Sequence, residues 1–171
     1  MDVISLIHIV NAVVALFTGT LVLFLQKGSR THVRTGYVYC ISMIGVISTA
    51  FMIYELFGGW GMFHWAAVVS GLTLAAGMVP LLLRRPPGAY ISLHLSFMYW
   101  SVMGLYAAFI AETMVRLPET DLIVMNNEVL PLFYSITTAS LFLVMAVAGF
   151  VFYRKQPVWQ ARFQAPVPPE S

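Results

Sequence analysis

The chain has 171 residues, of which 60% are hydrophobic and 9% charged; a soluble domain carries about 45–50% apolar and about 25% charged residues. A mean hydropathy of +0.84 excludes a soluble globular enzyme, a disordered chain and a nucleic-acid-binding module, and the formal net charge of +2 rests on too few charges to select a partner. What remains is an integral membrane protein of one domain, whose single cysteine, Cys40, excludes an internal disulfide framework.

A membrane-spanning helix needs about 20 mostly apolar residues, and five stretches in chain order meet that need. The first, 3–25, has no Lys, Arg, Asp or Glu. It lacks the basic start of a signal peptide, with Asp2 in its place, and its apolar run is too long for one, so it reads as a retained helix. The second, 35–57, carries Glu55 near its end; the third is 62–83; the fourth, 90–111, is followed by Glu112; the fifth is 129–153. Gly58-Gly59 separates the second from the third, and Arg85-Pro86-Pro87-Gly88 turns the third into the fourth. The connection 113–128 is the longest and is expected to cap one mouth of the bundle. The predicted fold is all-α: residues 1–154 form a bundle of five transmembrane helices, a four-helix core plus one flanking helix. Residues 155–171, with Pro157, Pro166, Pro168 and Pro169, form a disordered tail.

Basic residues in short loops mark the cytoplasmic side. Lys27, Arg30, Arg34, Arg84, Arg85, Arg154, Lys155 and Arg162 fall on one side and only Arg116 on the other. The chain is thus expected in a bacterial inner membrane, N-terminus outside and C-terminus cytoplasmic.

Small and polar residues face inward in such bundles. The expected inward stripes are His8, Asn11, Ala12, Ala15 and Gly19; Tyr39, Ser42, Gly45, Thr49 and Met52; His64, Ala67, Gly71, Ala75 and Met78; His94, Met98, Ser101, Leu105, Ala108 and Glu112; and Ser135, Thr138, Phe142, Met145 and Gly149.

Helices one to four each bring one histidine. By topology His8 and His64 belong to the outer half, and His32 and His94 to the inner half. At a rise of about 1.5 Å per residue, His8 lies roughly 8 Å inside its boundary and His64 roughly 3–5 Å, so the two are expected to approach each other. If Ser29 caps helix two, His32 falls in its first turn. Two imidazoles on facing helices can clamp a haem; zinc needs further ligands, which Glu55 and Glu112 supply at the outer end. Arg30 and Arg34 suit an anion or a lipid headgroup. The bland reading is that each histidine packs helices or sits among headgroups, and that Glu55 and Glu112 are solvated helix ends.

Several segments carry a family likeness: Leu6-Ile7-His8-Ile9, Thr18-Gly19, the run from Lys27-Gly28-Ser29-Arg30 through Thr31-His32-Val33-Arg34 to Thr35-Gly36-Tyr37-Val38-Tyr39, and His94-Leu95-Ser96-Phe97-Met98-Tyr99-Trp100-Ser101, with Arg116 downstream. In these the chain resembles bacterial multi-pass membrane proteins of the domain of unknown function 2306 family. That family carries no assigned activity. Its histidine-bearing helices look like those of transmembrane di-haem b-type cytochromes, an analogy between bundles.

Three functions compete. The first is a small electron-transfer protein binding haem b through His8 with His64 and His32 with His94, with a redox partner or quinone. The second is a non-enzymatic scaffold or transporter component in which the histidines pack helices, relay protons or touch lipid. A metal-dependent hydrolase using zinc at His8, His64, Glu55 and Glu112 ranks last, because no tight ligand motif is present. Oligomeric state is not legible.

Overall fold

The structure is a computed structural model; it describes residues 2–53, 59–116, 124–125, 128–129 and 131–161, leaving aside the side chains of 114–116, 124–125, 128–129, 131–134, 136–137 and 160. Five helices occur among the described residues: α1 (Val3–Phe24), α2 (Arg30–Ala50), α3 (Met62–Leu83), α4 (Tyr90–Arg116) and α5 (Pro131–Ala161). A short antiparallel pairing of β1 (Val124–Met125) with β2 (Glu128–Val129) lies between α4 and α5. The all-α architecture follows from the solvent, since a helix satisfies its backbone internally where lipid cannot.

Helix boundaries follow local chemistry. Asp2 caps α1, its carboxylate accepting from the Ser5 amide at 2.6 Å. Ser29 caps α2 and accepts from the His32 amide at 3.1 Å, after Gly28 turns the chain at φ 80°. Helix two therefore begins at Arg30 rather than 35, and His32 sits in its first turn. It also ends at Ala50 rather than 57, where three-residue bonds from Met52 to Thr49 and Ile53 to Ala50 tighten the chain out of the helix. Glu55 and the Gly58 of the expected break lie outside the described residues. Helix α4 runs on to Arg116, so the connection to α5 is shorter than 113–128. Helix α5 continues through Pro157 to Ala161, into the stretch expected as tail; 162–171 lie outside the described residues.

Four helices, α1, α3, α4 and α5, are long and apolar enough to cross a membrane, as a multi-pass membrane protein requires. Helix α2 is not among them, because Arg30, His32 and Arg34 occupy its first turns.

Helices α1 to α4 form a ring in which α1 packs broadly on α2 and α3 broadly on α4, while the α2–α3 and α1–α4 seams are narrower; α5 flanks the ring along α4. The ring is thus two helical hairpins side by side. Small residues allow close approach: Gly19 faces the Tyr39 ring, Gly45 the Asn11 side chain and Gly77 Met98. The core joins Ala15, Tyr39, Cys40, Met43, Leu74, Val102 and Leu105. Phe17, Ile41, Leu72, Phe142 and Phe150 point outward, where lipid would cover them. Three expected stripes need correction. Met52, expected on the inward stripe of helix two, is exposed and lies past the end of α2. The buried face of α3 runs His64, Ala67, Leu74 and Gly77, with Ala75 exposed. In α5, Ser135, Thr138 and Phe142 are exposed and Ala148 is the buried residue, because this helix touches only one neighbour closely and needs no broad polar stripe.

Candidate functional site

Polar side chains gather at both ends of the bundle. At the end formed by the start of α1 and the finish of α2 and α4, His8 lies on the buried face of α1. Its Nδ1 is 2.8 Å from Thr49 Oγ1. The Thr49 hydroxyl has one proton, and it is directed at the carbonyls of Gly45 (2.7 Å) and Val46 (3.0 Å) one turn earlier in α2. Thr49 must therefore accept from His8, and the network assigns the Nδ1–H tautomer. That leaves His8 Nε2 facing Glu112 Oε2 at 3.8 Å. An unprotonated nitrogen against a carboxylate sets two lone pairs face to face, so this contact is attractive only with a proton on one partner.

His64 occupies the same end of the chain path but has a different role. Its Nδ1 accepts from the Gly61 amide at 3.1 Å, a side-chain cap on the first turn of α3. Its ring stacks on Trp60 with centroids 5.0 Å apart, with Phe51 at 6.5 Å. Acceptance at Nδ1 puts the ring proton on Nε2.

At the opposite end, Lys27, His32 and His94 line one small, partly open cavity with Val22, Leu23, Leu95, Met98, Tyr99 and Trp159. Lys27 Nζ donates to the carbonyls of Val22 (2.5 Å) and Leu23 (3.0 Å), which the end of α1 leaves unpaired. Burial pushes the pKa of this ammonium down. His94 Nδ1 donates to the Gly77 carbonyl at 3.0 Å, which turns its Nε2 outward as a lone pair. The His32 ring lies against the Val22 carbonyl, and its Nδ1 is buried with no hydrogen-bond partner among the described residues. Arg30 and Arg34 are exposed and do not line this cavity.

Between the ends the interior is filled. Tyr39 hydroxyl bonds Ser101 at 2.8 Å across α2 and α4, Thr20 bonds Tyr106 across α1 and α4, and Tyr99 donates to the Ala148 carbonyl at 2.8 Å, fastening α5.

The structure thus places His32 and His94 on one cavity and sets His8 against Glu112. These side chains do not fit a haem. The inner cavity measures about 30 Å³, room for about two water molecules and not for a porphyrin. At the other end, His64 Nδ1 is committed to the Gly61 amide. For zinc, no three His, Cys, Asp or Glu side chains are gathered among the described residues; Glu55 of that proposed set lies outside them. Sequence reasoning missed Thr49 as the residue that sets the His8 tautomer, and Lys27 as a cap on α1. The position of Lys27 just past the last turn of an apolar helix was the available signal.

No family model matches this chain, and neither a curated protein nor a solved structure shows significant similarity to it.

Proposed function

We propose that this chain is a non-enzymatic, proton-coupled transporter component of a bacterial inner membrane, with its basic end cytoplasmic. In this reading the His8–Glu112 pair takes up a proton and thereby closes the seam between its two hairpins. The observation that carries it is the forced tautomer of His8. Thr49 fixes the Nδ1–H from within the first hairpin, so Nε2 is presented to Glu112 of the second. With a proton between them the two hairpins attract; without it the lone pairs repel. The contact crosses the narrow α1–α4 seam, where a change of one charge moves the least packing. Intramembrane ionisable groups paired in this way are what proton relays are made of. Neither haem nor zinc enters this account.

The full chain reconstituted in liposomes containing a pH-sensitive dye tests it. An acid pulse outside should give proton entry above that of empty vesicles. Glu112→Gln and His8→Phe should slow it at least about tenfold, as for a barrier raised by ~1.4 kcal/mol. Equal rates in wild type, both variants and empty vesicles would overturn the reading and leave a scaffold.

A further inference from the structure

The basic end holds a charge problem that the proton reading does not touch. Lys27, His32 and His94 converge on one cavity, and burying basic groups together is unfavourable unless a counter-charge accompanies them. Among the described residues no carboxylate lies there. Of the chain's seven carboxylates, Asp2 and Glu112 lie at the other end.

The donors, by contrast, are in surplus. Lys27 spends two of its three N–H bonds on Val22 and Leu23. His32 Nδ1 is buried and unpartnered among the described residues; an anion beside it would draw a proton onto the ring, and it would then donate as well. The walls are apolar or aromatic: Leu23, Leu95, Met98, Tyr99 and Trp159. Beside these lining residues in sequence, Phe24 and Val158 are exposed, at 85% and 53%, so an acyl chain has apolar surface to follow away from the cavity. Arg30, exposed on the first turn of α2, adds positive charge at the same end.

We propose that this cavity binds a phosphate group, that of an anionic phospholipid headgroup or of a free phosphate, seated at its mouth and held by Lys27 and His32. The small volume admits one or two phosphate oxygens and keeps the rest of the group at the interface. A charge-assisted bond from each donor supplies the binding, and His94, with Nδ1 committed to Gly77, positions the wall opposite.

Thermal unfolding of the full chain in a neutral maltoside detergent tests this. Phosphatidylglycerol should raise the wild-type midpoint, and Lys27→Gln and His32→Gln should each lose at least half of that rise, while Lys27→Arg keeps it. Inorganic phosphate producing the same Lys27-dependent rise without lipid would assign the site to free phosphate; phosphatidylglycerol acting alone would assign it to the headgroup. Equal rises in wild type and both Gln variants, or the same rise with zwitterionic phosphatidylcholine, would overturn the proposal. If Lys27→Gln does not fold, native mass spectrometry decides. A phosphatidylglycerol adduct kept by Lys27→Arg and lost by His32→Gln supports the site, and adducts equal in both overturn it.

Discussion

The two ends of this bundle solve the problem of polar groups in an apolar solvent in opposite ways. At the His8 end the pair is built from complementary groups: Thr49 gives its own proton to the backbone of α2 and receives one from His8, which faces a carboxylate. At the His32 end the groups are all basic, one ring nitrogen has no described partner, and a cavity remains. A complementary pair closes on itself and responds to protons. A cluster of basic groups leaves a cavity that an external anion can enter. The same residue type, histidine, serves both because its partners fix which nitrogen carries the proton.

The junction between the ends is the place to break the comparison most severely. A methyl group at Gly19 would stand 2.9 Å from the Tyr39 ring and 3.3 Å from Val102, and Tyr39 is fully buried with its hydroxyl held by Ser101. Gly19→Ala should therefore cost about 1–3 kcal/mol by overpacking, more than the ~0.5–1 kcal/mol that alanine gains in a helix. A detergent unfolding midpoint at or above wild type would contradict the tight junction of α1, α2 and α4.

Tyr39→Phe is the milder cut. It removes the bond to Ser101 and should cost about 1 kcal/mol, while the proton entry and phosphatidylglycerol response keep their wild-type values. Loss of both responses in this variant would show that the ends act as one site. The smallest effect is expected at Asp2, which separates simple capping from the histidine pair. The Ser5 amide donating to its carboxylate holds its pKa below the ordinary value. Its contribution is therefore present above the unfolded-state pKa and lost as pH falls through the lower folded-state value. Asp2→Asn, an equally good cap, should flatten that acidic part of a stability–pH curve slightly and leave proton entry unchanged. An unchanged curve would contradict the capping role.

The membrane class, the helices and the four-plus-one arrangement were legible because apolar length and small-residue stripes are one-dimensional signals. So was the Ser29 cap that placed His32. Other features depended on neighbours. The far end of α2 was misjudged because residues 51–57 continue the apolar run although the backbone leaves the helix after Ala50. The face of α5 was misread because a polar stripe was sought on a helix with one close partner. At the site, the sequence could put His32 and His94 in the same half of the bundle by topology. It could not reveal that Thr49 fixes one histidine's tautomer while Gly61 fixes another's in the opposite sense. Those assignments come from hydrogen-bond directions in three dimensions, and they decide between ligand, cap and proton acceptor.

The central claim, that His8 carries Nδ1–H and shares a proton with Glu112 through Nε2, is tested most directly by ¹⁵N NMR of the full chain with ring-labelled histidine, comparing wild type with Glu112→Gln and assigning His8 by its absence in His8→Phe. The account predicts a protonated Nδ1 for His8 in both proteins, and an Nε2 resonance that moves strongly in Glu112→Gln while the His94 signals stay in place. A His8 ring protonated only at Nε2, or an Nε2 resonance indifferent to Glu112, would contradict it.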